Sequence, residues 1–157
     1  MKKVIILTGM PGSGKSTAAI EFQKLKVPVI GMGDAVRKEM RRRGIEINNR
    51  SIRLFSKRMT KEHGNKYVSG LVKKEGYKPI ILGIIADKQV RFKRIVKRKN
   101  ESDFSSYSEF EWREKLELGY GIAEVIASAD YYIDNMGSKE KFLNDIKKFL
   151  SKVKALK

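Results

Sequence analysis

Val4-Ile5-Ile6-Leu7-Thr8-Gly9-Met10-Pro11-Gly12-Ser13-Gly14-Lys15-Ser16-Thr17 is the stretch that decides the fold. Its first four residues form a short continuous apolar run, which suits a strand buried on both faces of a parallel sheet. Gly9 to Ser16 then fit G-x-x-x-x-G-K-[ST], with the required strand in front and a helical pattern behind. The glycines let successive amide N–H groups converge on phosphate oxygens, and the helix N-terminus adds the positive end of its dipole. Lys15 is placed to reach the β- and γ-phosphates, and the Ser16 hydroxyl to ligate Mg²⁺. Gly9, Pro11, Gly12, Ser13, Gly14, Lys15, Ser16 and Thr17 are therefore the expected nucleotide-binding residues. The Asn/Thr-Lys-x-Asp pattern that reads guanine is absent, since Asn65-Lys66 continues into Tyr67-Val68. ATP is the expected nucleotide.

Outward from this motif, strand and helix patterns alternate. Ala18, Ala19, Phe22 and Leu25 recur at helical spacing from about Ser16 to Lys26, and Val27-Pro28-Val29-Ile30 follows as a second strand, completing a βαβ unit. Asp34 is placed to cap a helix that runs to about Arg43 and ends at Gly44. A helix from Ser51, stopped by Gly64, and a helical stretch around Val68, Leu71 and Val72 come next. Residues 79–85 are the third strand, and Val90, Phe92, Ile95 and Val96 mark a basic helix. Ser108-x-x-Glu111 has capping-box spacing and opens a helix through Trp112, Leu116, Ile122 and Ile126. Tyr131-Tyr132-Ile133 is a short strand, and a last helix from about Ser138 carries Phe142, Ile146, Phe149 and Val153 on its core face. Trp112 and the two tyrosines are expected in packing, and His63 at a helix end. Residues 97–108 are the one low-hydrophobicity loop, expected to move. The pattern predicts a three-layer α/β P-loop NTPase fold over 1–157, with a short parallel sheet flanked by helices.

The chain has 157 residues, so one core is expected, and 35 Lys+Arg against 18 Asp+Glu give a net charge of +17. With no cysteine and one histidine, disulfide frameworks, thiolate zinc sites and cysteine nucleophiles are excluded. The apolar runs are too short to span a membrane and the N-terminus lacks a signal-peptide pattern, so a soluble, cytoplasmic protein is expected. A field this positive attracts nucleic acid, anionic surfaces or phosphorylated small molecules without choosing among them. Arg41-Arg42-Arg43 and Lys97-Arg98-Lys99 could meet polynucleotide phosphates, although no RNA-binding signature accompanies them. Nothing in the sequence sets the oligomeric state.

After the second strand comes Gly31-Met32-Gly33-Asp34-Ala35-Val36-Arg37. An Asp and an Arg one helical turn apart, at the carboxyl end of a strand beside the P-loop, project into the crevice where such sheets bind ligands. Gly-Asp-x-x-Arg resembles the monophosphate-binding segment of adenylate kinases. Residues 129–138, Ala-Asp-Tyr-Tyr-Ile-Asp-Asn135-Met-Gly137-Ser, resemble the closing strand and adenine-side loop of dephospho-CoA kinases. Over nearly its full length the chain is similar to small P-loop kinases related to both, with residues 119–130 matching their helix before the last strand and Arg91-Phe-Lys-Arg94 the start of their lid-bearing helix.

The resemblance implies a nucleoside-monophosphate-kinase-like fold, with Lys15 and Ser16 on ATP-Mg²⁺, Arg37 on the acceptor phosphate and Asn135 near the adenine, Gly137 beside it. It also implies an acceptor-binding helical region at 34–76 and a lid at 91–110, where Arg94 and Arg98 are the cations for the transferring phosphoryl group. These families carry a further strand beside strand one, ending in an Asp-Gly pair that orders Mg²⁺, and nothing between Gly64 and Pro79 supplies it. Either that strand has been lost, leaving Asp34 as metal-water ligand or general base, or residues 79–85 take its place with Asp87 as the magnesium carboxylate. The expected activity is transfer of the ATP γ-phosphate to a nucleotide-like small molecule, of the nucleoside monophosphate or dephospho-CoA type. The alternative is an ATP-binding switch or nucleic-acid-associated protein with little turnover.

Overall fold

The apolar runs of the sequence become a four-stranded, all-parallel sheet in the order β2-β1-β3-β4. The structure is a computed structural model and describes residues 2–98 and 106–155. Its elements are β1 (Lys2–Thr8), α1 (Lys15–Lys24), β2 (Val29–Gly31), α2 (Met32–Arg42), α3 (Asn49–His63), α4 (Tyr67–Lys74), β3 (Tyr77–Ile85), α5 (Lys88–Arg98), α6 (Tyr107–Gly119), α7 (Ile122–Ala127), β4 (Tyr131–Asp134) and α8 (Lys139–Ala155). Among the described residues no helix is long and apolar enough to cross a membrane.

Alternation along the central strands makes the three layers. Ile5 and Leu7 of β1 face Ala18, Phe22, Phe142 and Ile146 on α1 and α8. Val4 and Ile6 face Val36, Met40, Phe55, Met59 and Val68 on α2, α3 and α4. Successive strand side chains point to opposite faces, so an apolar run without alternation is what a sheet covered on both sides requires. The expected three-layer P-loop kinase-like fold is the observed one.

Several boundaries differ from the sequence expectations. The Val27 N–H donates to Phe22 O at 2.9 Å, so Val27 closes α1 and the second strand starts at Val29. The helix expected to be capped by Asp34 begins at Met32 with Gly31 as its N-cap, and Asp34 lies inside the first turn. The capping hydroxyl of α6 is Ser106, which accepts from Glu109 N at 3.2 Å, two residues ahead of the expected Ser108. Gly121, at φ 82°, breaks the long helix expected through Ile126 into α6 and α7. Trp112 is 57% exposed and outside the core. His63 ends α3 as expected. Residues 99–105 of the expected mobile loop lie outside the described residues.

No strand lies between Gly64 and Gly76, a segment occupied by α4 and its turns. β1 has β2 on one side and β3 on the other, with seven residue pairs from Lys2↔Tyr77 to Thr8↔Gly83. The strand at 77–85 therefore stands directly beside strand one, and α5 follows it over the P-loop.

Candidate functional site

The loop between β1 and α1 is held open by contacts that exclude side chains. Gly12, at φ 77°, lies so close to α5 that a Cβ there would come 2.7 Å from Arg91 O. A Cβ on Gly14, at φ 112°, would come 2.4 Å from Asn135 Nδ2. Both positions need glycine for conformation and for space.

Two buried polar residues fix this loop from outside. Asn135 follows β4, is 7% exposed, and donates from Nδ2 to Ser13 O at 2.8 Å. Its side chain is engaged with the loop backbone rather than displayed to a base. Arg91 of α5 is 5% exposed, donates from Nη1 to Pro11 O at 3.0 Å and from Nε to Ala86 O at 3.0 Å, and forks onto the Glu114 carboxylate of α6, with Nη2 to Oε2 at 2.9 Å. A buried guanidinium with its donors met in this way is geometrically fixed.

Lys15 Nζ folds back on the loop, donating to Gly9 O at 2.6 Å and Met10 O at 2.9 Å. Burial lowers its pKa from 10.5 to about 8; Glu117 opposes the shift, and Arg91, Arg113 and Arg98 add to it. A triphosphate beside this ammonium would reverse the imbalance of positive charge.

Lys15 and Ser16 line two cavities at once. The first, of about 350 Å³, is bounded by Gly12, Gly14, Thr17, Arg94, Arg98, Asn135, Gly137 and Lys139. Arg94 Nη2 donates to Asn135 O at 2.5 Å, while its buried Nη1 has no hydrogen-bond partner among the described residues. That orphan donor suits an anionic ligand. The second cavity, of about 600 Å³, lies between the P-loop residues Gly9 and Pro11 and the helices α2, α3, α6 and α7. Asp34 and Arg37 line it and pair with each other at 2.6 Å, both side chains well exposed. Arg113 and Glu117 of α6 face it too and pair at 2.8 Å.

The structure thus brings Lys15, Ser16, Asp34 and Arg37 around one cavity, and Lys15, Ser16, Arg94, Arg98, Asn135 and Gly137 around the other. Asp87 lines neither; its N–H donates to Met136 Sδ at 3.0 Å. Arg113, Glu114 and Glu117 escaped the sequence reading. Their signal was the Arg113-x-x-x-Glu117 pair at helical spacing, one turn after the buried Phe110.

No group of three or more His, Asp or Glu side chains poised for a metal exists among the described residues. Mg²⁺ at a nucleotide site needs no such cage, because it keeps several waters and is held by one or two protein oxygens together with substrate phosphates. Ser16 Oγ with one carboxylate from the same cavity fits that requirement.

Residues 8–107 match the AAA domain family. A UPF0200 protein of Pyrococcus horikoshii is 34% identical, covering 96% of this chain and 97% of the relative. Another, from Hyperthermus butylicus, is 33% identical over 96% of this chain and 94% of its own length. The alignment with the first runs over 180 positions, more than the 157 residues present here, so the relative carries residues without a counterpart in this chain. Among solved structures, TT1252 from Thermus thermophilus shares the fold at a TM-score of 0.54 and 19% identity, covering 95% of this chain and 96% of its own.

Proposed function

The chain belongs to the AAA domain family and to the UPF0200 proteins, and from that premise we propose that it is an ATP-dependent phosphotransferase with a nucleotide-like acceptor. The observation that carries this reading is the pair of cavities meeting at Lys15 and Ser16. A protein that only binds ATP needs one of them. A transferase needs donor and acceptor on opposite sides of the reacting phosphoryl group, aligned for in-line displacement.

In this reading ATP occupies the smaller cavity, with its triphosphate on the amides of residues 12–16 and on Lys15, Arg94 and Arg98. The acceptor occupies the larger one, its phosphate on Arg37. An acceptor hydroxyl or phosphate oxygen attacks the γ-phosphorus, the bond from that phosphorus to the β,γ-bridging oxygen breaks, and ADP leaves. Any proton on the attacking oxygen passes to Asp34, whose carboxylate exchanges its bond to Arg37 for one to the acceptor. Ser16 and Asp34 are the residues that would hold Mg²⁺, directly and through water, and the ion supplies charge neutralisation to the phosphates.

The test is ADP formation in the presence of nucleoside monophosphates, nucleosides and dephospho-CoA. Stimulation by one acceptor, with the phosphoryl group recovered on it, is the expected outcome. ATP binding without acceptor-dependent turnover on the whole panel would sink the transferase reading.

A further inference from the structure

The acceptor cavity does not end at its rim. α3 lines it with Asn49, Ile52 and Ser56, and at the rim the Tyr120 hydroxyl donates to Asn49 Oδ1 at 3.1 Å. One helical turn beyond Asn49 is Arg53, whose Cδ would stand 3.6 Å from a Cβ placed on Gly119 at the end of α6. From Arg53 a row of cations continues with Lys57 and Lys61, with Arg50 beside it, all exposed and without an ion pair among the described residues. At about 100° per residue these four fall within a sector about 80° wide, next to the sector that lines the cavity. They extend along about 16 Å of helix. Of the neighbouring cations, Arg42 and Arg43 are committed to Glu39, and Arg58 to Glu62.

We propose that this face of α3 is a track for the phosphates of a single-stranded nucleic acid whose terminal nucleotide enters the acceptor cavity. The inference deepens the phosphotransferase reading and rests on it for the role of the cavity, making the nucleotide-like acceptor the end of a strand. Charge complementarity and continuity with the cavity carry it. Four cations unopposed on one face keep their full attraction for a polyanion, whereas paired cations must first give up their carboxylates. A single row follows one backbone, and the exposed Leu54 beside it on α3 is a single apolar side chain, short of the apolar face that insertion into a lipid surface would need. With a strand bearing a terminal 5′-hydroxyl, that oxygen attacks the γ-phosphorus, the bond to the β,γ-bridging oxygen breaks, ADP leaves and the hydroxyl proton passes to Asp34.

The experiment measures binding of a short, labelled, single-stranded oligoribonucleotide with a 5′-hydroxyl by fluorescence anisotropy at increasing salt. For four phosphate contacts, log K should fall against log salt with a slope of about −2.8, so that affinity drops about fifty-fold between about 50 and 200 mM. Arg53→Ala with Lys57→Ala should halve the slope and cut that drop to about sevenfold. Lys147→Ala with Lys154→Ala, an equal charge change on α8 across the sheet, should leave the slope unchanged. Three results would overturn the track: no binding, an equal loss in the α8 pair, or the same Arg53/Lys57-dependent binding to anionic vesicles. Nucleoside monophosphate turnover with no strand binding overturns the track and spares the phosphotransferase. Strand binding that follows the α3 pair, with no turnover on any acceptor, spares the track and removes the phosphotransferase.

Discussion

The two cavities that share Lys15 are built on opposite principles. Around the smaller one the polar side chains are tied to backbone, Asn135 to Ser13 and Arg94 to Asn135, and behind the loop Arg91 is tied to Pro11, Ala86 and the buried Glu114 carboxylate. Around the larger one the charges are tied to each other, Asp34 to Arg37 on exposed side chains and Arg113 to the mostly buried Glu117. Backbone ties hold a site in one shape, which suits a ligand with invariant phosphates. Exposed ion pairs are worth about 0–1 kcal/mol and are readily traded for a ligand's charges. In the proposed reading the difference gives rigidity to the ATP side and exchange to the acceptor side.

The largest effect is expected on the rigid side. Glu114→Ala leaves the Arg91 guanidinium buried without its carboxylate, and should cost about 3–5 kcal/mol in denaturant unfolding. A loss below about 1 kcal/mol would mean that the clamp between α5, α6 and the P-loop is no tighter than a surface pair. Next comes the choice of carboxylate. Asp34→Asn should lower turnover about a hundredfold and weaken its magnesium dependence, while Asp87→Asn stays close to wild type. The reverse ranking would move the magnesium carboxylate to the end of β3. Lys15→Ala should weaken ATP about tenfold to a hundredfold in calorimetry and leave the melting temperature within a few degrees, because the ammonium bonds only to loop carbonyls in the absence of phosphate.

The rigid half was far more legible in the sequence than the exchangeable half, for a physical reason. A P-loop needs particular residues at particular steps, since Gly12 and Gly14 stand where any Cβ would collide, and the flanking strand is buried on both faces. Those demands leave an unmistakable pattern. The α6 contribution left almost none, because that helix buries Phe110 and Glu114, turns Arg113 and Glu117 to the cavity, and exposes Trp112 and Leu118, so no single apolar stripe marks its inner face. Its start was blurred by two overlapping Ser-x-x-Glu spacings, of which Ser106-Glu109 is the one used. Asn135 was legible as a site residue, but its partner, the Ser13 carbonyl, is 122 residues away and depends on tertiary packing alone.

On the exchangeable side the effects should be smaller. Arg37→Ala removes one cation from a cavity that retains Arg113, so the acceptor KM should rise about tenfold with ATP affinity unchanged. If acceptor KM stays constant, Arg37 serves only Asp34, and acceptor recognition shifts to α6. Arg113→Ala then becomes the decisive variant.

The smallest effect is also the one that joins the two halves, because the groups acting on Lys15 come from both. Its pKa of about 8 lies below the ordinary 10.5, so between those values the unfolded chain binds the proton that the folded chain has released. Burial of the charged lysine therefore costs stability in full below about pH 8, and the cost is relieved as pH rises from about 8 to 10.5. ATP acts in the opposite direction. Phosphate charge favours the ammonium, so affinity should be full below about pH 8 and then decline by at most about tenfold per unit, with proton uptake on binding visible in calorimetry across buffers of different ionisation enthalpy. Two opposed pH trends from one side chain are hard to imitate, and Lys15→Ala should abolish both. Removing Glu117, which holds the ammonium charged, should move the decline in ATP affinity to lower pH; removing Arg113, which opposes it, should move it higher. A decline that ignores both α6 residues would break the electrostatic link between the acceptor cavity and the P-loop lysine.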